Sequence, residues 1–91
     1  MGNDINIFSK DVIIKRAKRA KAEMLTNRLA GYKNITVENA FEALSRSITY
    51  ELLMQNYTEL YGGTDELLWK MLKAETDGNM NEFTHLIGDR Q

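Results

Sequence analysis

The run Lys15-Arg16-Ala17-Lys18-Arg19-Ala20-Lys21 is the densest group of charges in the chain. On a helix, Lys15, Arg16, Lys18 and Arg19 spread over one outer arc, where they could neutralise several phosphates of a nucleic-acid backbone. The same arc suits an acidic protein surface, or solvent alone. Nucleic-acid-binding domains are usually basic overall, whereas this chain has a formal net charge of −1.

A second group, Tyr50, Met54, Tyr57, Tyr61 and Trp69, carries a different chemistry. Tyr, Trp and Met are enriched at the centres of protein interfaces, because an amphipathic ring or a soft thioether gives much contact area at low entropic cost. This set is the expected protein interface. Its bland alternative is a core that packs the later helices.

Catalytic and ligand-binding patterns are weaker. His85 is the sole histidine and there is no cysteine, so thiol chemistry and thiolate zinc sites are excluded. A catalytic histidine needs a nucleophile and an orienting carboxylate, and no motif supplies them. Glu38 and Glu42 stand one helical turn apart without the histidines of a di-metal site. Asp77, Asn79 and Asn81 alternate like a calcium loop, but Glu82 falls where such a loop needs Gly, and Gly88 where it needs a bidentate Glu. Gly62-Gly63 lacks the Lys-Ser/Thr of a phosphate loop. Leu29-Ala30-Gly31 before Thr36-Val37 has the wrong spacing for a helix-turn-helix. No catalytic residue, cofactor or metal is expected.

The elements that must position these groups are helices. With no Pro and with Gly gathered at apparent helix ends, the chain favours an all-α fold, a small bundle of about four helices. The boundaries expected are approximately 10–30, 37–61, 65–77 and 80–87. Ser9, Thr36, Thr64 and either Asn79 or Asn81 are the N-caps, while Gly31, Gly62-Gly63, Gly78 and Gly88 are the stops. The first helix would turn Ile13, Ala17, Ala20 and Met24 inward, flanked by Ile14 and Leu25. The long central helix can be read on two faces: Val37, Ala40, Phe41, Leu44, Ile48 and Leu52 on one, Tyr50 through Tyr61 on the other. A helix apolar on both sides needs partners on both sides, which suggests self-association. A break at Ser45-Arg46-Ser47 would remove that support.

Ninety-one residues suffice for one domain, with residues 1–8 as a loose arm and Asp89-Arg90-Gln91 as a frayed tail. Residues 1–33 carry eight basic against three acidic groups, and residues 34–91 carry four basic against ten acidic. Such a charge dipole points to a partner, to nucleic acid, or to one half folded against the other. No segment has the length of a membrane span or the build of a signal peptide, so a cytoplasmic location is expected. The expectation for function is a small non-enzymatic helical adaptor or regulatory protein that binds another protein and self-associates. The alternative is a nucleic-acid binder using the basic first helix. No family motif is present; the Pro-free, Cys-free chain resembles only in style the small accessory proteins of bacteria and phages.

Overall fold

Ser9 opens the first helix as an N-cap, its hydroxyl oxygen accepting a hydrogen bond from the Val12 amide at 3.3 Å. The structure, a computed structural model, describes residues 9–89. The arm expected at residues 1–8, and Arg90 and Gln91 of the expected tail, lie outside the described residues. Every described element is helical: α1 (Lys10–Lys33), α2 (Val37–Ser45), α3 (Ile48–Met54), two 3-10 turns (Asn56–Thr58 and Leu60–Gly62), α4 (Asp65–Thr76) and α5 (Met80–Asp89). The fold is thus an all-α small bundle, with its longest element at the start of the chain and not at the centre.

α1 runs one turn past the expected stop at Gly31, to a length of about 36 Å. Asn34 takes the left-handed conformation instead (φ 57°, ψ 51°), and its amide and that of Ile35 both reach the Ala30 carbonyl. A short polar side chain tolerates that conformation. Gly inside a helix costs about 1 kcal/mol, and tertiary contacts of the next residue offset it. The Tyr32 hydroxyl donates to the Asp77 carboxylate at 2.8 Å, and its ring meets Trp69 edge to face at 5.5 Å.

The inward face of α1 also differs from the expected row. Ala22, Leu25, Thr26 and Leu29 are buried and Met24 is partly so, whereas Ile13 is 57% exposed and Ala20 faces solvent. No residue of α1 before Ala22 is buried.

The expected helix over 37–61 is broken where two serines flank Arg46. The Ser45 hydroxyl donates to the Glu42 carbonyl at 2.8 Å, and Ser47 donates to the Leu44 carbonyl at 2.7 Å while accepting from the Tyr50 amide at 3.0 Å. Local side-chain bonds of this kind compete with helix continuation. The second cause is tertiary. Glu75 of α4 accepts from the amides of Ile48 and Thr49 at 2.6 and 2.9 Å, and from the Thr49 hydroxyl at 2.8 Å. A carboxylate seated on free amides stabilises a new helix start. After Met54 the backbone relaxes into the 3-10 turns, with Glu59 at φ 57° between them.

The last two helices form the expected hairpin. Thr64 caps α4, Gly78 closes it at φ 78°, and the Asn79 side chain accepts from the Glu82 amide. α5 continues through Gly88 to Asp89. One core draws on every helix: Leu25 and Leu29, Ala40 and Leu44, Leu53, Leu68 with Met71 and Leu72, and Phe83 with Leu86.

Candidate functional site

α1, α2 and α3 enclose between them an open groove of about 640 Å³. Ala22 and Thr26 of α1 line its base and are buried. The Thr26 hydroxyl donates to the Ala22 carbonyl at 2.8 Å, so it is already satisfied within its own helix. The facing wall is apolar: Val37 and Phe41 of α2, then Tyr50 and Met54 of α3. Val37 is 53% and Phe41 47% exposed. Phe41 and Tyr50 meet edge to face with centroids 6.3 Å apart, which holds the wall as one surface.

The break after Ser45 builds this wall. Each of α2 and α3 turns its own residues to the core, Ala40 and Leu44 from the first, Thr49 and Leu53 from the second. Val37, Phe41 and Ile48, expected to pack the core, are left partly exposed. This corrects the two-faced helix. Val37 and Phe41 lie beside α1 in the groove and not on the far side of one continuous rod.

Cations border the groove at the α1 end. Lys15, Lys18 and Arg19 line it, against Glu23 as the one acidic residue among the described lining. Lys18 is engaged within the fold. Its ammonium donates to the Met54 carbonyl at 2.7 Å and to the Asn56 side chain, and lies 5.9 Å from the centre of the Tyr61 ring. It thereby satisfies the carbonyl end of α3. Arg19 sits 3.8 Å from Glu23, both side chains largely in water, a geometry worth little to stability. Lys15 and Arg16 make no ion pair among the described residues, and Arg16 stands outside the groove. The expected basic arc is therefore divided: Lys18 is a structural cap, while Lys15, Arg16 and Arg19 remain available.

The expected aromatic interface is divided as well. Tyr50 and Met54 line the groove. Tyr57 is 81% exposed on the first 3-10 turn, and Tyr61 is half-buried beneath Lys18. Trp69 packs on Tyr32, roughly 21 Å from Lys18 along α1. No single surface joins all of them. Val37, Phe41, Ala22 and Thr26 were not legible as site residues, because apolar side chains at helical spacing read as core. The available signal was the Ser45-Arg46-Ser47 stop, together with small residues in α1.

Other charged groups serve the fold. Lys21 pairs with Asp65 at 2.6 Å and Arg28 with Glu66 at 3.2 Å, joining the basic first helix to the acidic start of α4. The hydrogen bond from Lys21 holds the Asp65 carboxyl below its ordinary value, with desolvation opposing and the charges of Lys21 and Arg28 assisting. Lys73 is raised above its ordinary value by Tyr32, whose ring lies 5.2 Å from its ammonium, and by Asp77. Asp77, considered above for calcium, accepts from Tyr32 and Lys73. Among the described residues no three of His, Cys, Asp and Glu converge to hold a metal ion, and no helix is long and apolar enough to cross a membrane. Compared with protein-family models, curated proteins and solved structures, the chain matches none of them.

Proposed function

We propose that this chain is a small non-enzymatic adaptor or regulatory protein that acts by binding another protein in the groove between α1, α2 and α3. The observation that carries the proposal is the half-exposed pair Val37 and Phe41, continuous with Tyr50 and Met54 over a base of buried small residues. Such a wall costs free energy when left in water. A partner that covers it recovers that cost and gains the shape fit of a concave site.

A benzophenone amino acid at Phe41, photolysed in the native host, should yield one discrete crosslinked protein. The same probe at Tyr57 is the exposed control and should yield no such product. Equal products from both positions, or none from Phe41, would sink the proposal. Self-association draws less support than the sequence suggested, because the helix whose two faces motivated it is two helices; a crosslinked dimer of this chain would restore it.

Nucleic-acid binding is the second reading, supported by Lys15, Arg16 and Arg19 on the outer surface of α1. With Lys18 engaged as a cap, roughly three phosphate contacts remain, giving a log–log salt slope of about −3 for duplex DNA. Retention on duplex that ignores salt, or that survives Lys15→Glu with Arg19→Glu, would exclude it.

A further inference from the structure

We infer that the occupant of the groove is an amphipathic α-helix of three to four turns whose acidic residues gather at the end that meets Lys15 and Arg19. This rests on the protein-binding reading above and names the class of partner.

Length is the first argument. The lining residues of α1 run from Lys15 to Asn27, roughly 18 Å of helix. A partner helix of about 12 to 14 residues spans that distance with anchors at i, i+3 or i+4, and i+7. Backbone chemistry is the second. The walls are helices and no described element is a strand, so no sheet edge invites an extended peptide; recognition must run through side-chain faces. The base is the third. Ala22 and Thr26 are small, and small residues let a second helix axis come within the usual 8–10 Å packing distance.

Charge chooses the flank. Lys15 has no acidic neighbour at pairing distance among the described residues, and Arg19 is held only by a distant, solvated Glu23. The other end of the groove, at Thr26 and Asn27, is neutral. A partner helix with carboxylates toward Lys15 and Arg19 gains attraction at that end and none at the other. A basic helix would meet like charges there. A second copy docking through the same groove would bring its own cationic border, which disfavours it as occupant.

The test titrates two synthetic helical peptides of about 14 residues into the isotope-labelled full chain, followed by amide NMR. Both carry leucines at the anchor spacing; one has glutamates on its N-terminal or C-terminal flank, in separate syntheses, and its counterpart has lysines there. The amides of Ala22, Phe41 and Tyr50 should shift, with the better of the acidic peptides binding about tenfold tighter than its lysine counterpart at low salt. In the Lys15→Glu, Arg19→Glu double variant that order should reverse. Both positions are exposed, so the variant retains the fold. Equal binding of acidic and lysine peptides, with the groove amides shifting, overturns the acidic flank and leaves the protein-binding reading standing. Groove shifts that grow with the chain's own concentration, without peptide, overturn it in favour of a second copy. Silence of the groove toward every peptide, while duplex DNA shifts Lys15, Arg16 and Arg19, overturns both the inference and the reading beneath it.

Discussion

Glu59 holds a left-handed backbone at φ 57° between the two 3-10 turns, where its own side chain adds nothing that glycine would lack in conformational freedom. A non-glycine residue there carries a penalty of about 1 kcal/mol, although glycine also enlarges the unfolded ensemble. Glu59→Gly should therefore be neutral to stabilising, by up to about 1 kcal/mol in urea unfolding. A clear destabilisation would mean that the carboxylate makes a contact of consequence. Phe41 poses the opposite case. Its type and spacing read as core, yet it is nearly half exposed, and its ring meets Tyr50 edge to face at the groove wall. Sequence periodicity reports that a side chain is apolar and which way its helix repeats; it is silent on where that helix ends.

At the scale of elements, the caps were legible and the break was only half legible. Ser9, Thr36, Thr64 and Asn79 act as N-caps because hydroxyl and amide oxygens reach the free amides of a first turn, a local property readable from residue type. The start of α3 depends on Glu75, more than twenty residues away in sequence. That part no local rule could supply. Glu75→Ala leaves the Ile48 and Thr49 amides and the buried Thr49 hydroxyl without their acceptor. The expected cost is about 1–3 kcal/mol, measured by urea unfolding, with the smaller loss for Glu75→Gln. Little change in either variant would show that the serines alone break the helix. Leu44→Ala, by contrast, removes a fully buried side chain of α2 and should cost about 2–5 kcal/mol.

Across the whole molecule, the charge dipole of the sequence is partly folded upon itself: Lys21 and Arg28 of the basic half meet Asp65 and Glu66 of the acidic half. The fold class and the hairpin were legible because they follow from periodicity and caps; the groove was not, because it exists only once three helices are placed. The paired groups give stability a pH dependence at both ends. Asp65 is depressed, so its contribution is present above its unfolded value and lost as pH falls through the lower folded one. Lys73 is raised, so its contribution is full below its unfolded value and lost as pH climbs through the higher folded one. Asp65→Asn should make the acid side of the stability curve slightly shallower and leave the alkaline side unchanged. A curve that falls as steeply as the parent's would assign the acid loss to another carboxylate.

The central claim is that Val37 and Phe41 form a docking surface and not a loosely covered core. Phe41→Ser tests it most directly, with urea unfolding and photo-crosslinking from Val37 measured on the same variant. The prediction is a stability loss of no more than about 2 kcal/mol and a crosslink yield reduced about tenfold. An unaltered crosslink, or a fold that collapses when Phe41 is truncated, would contradict it.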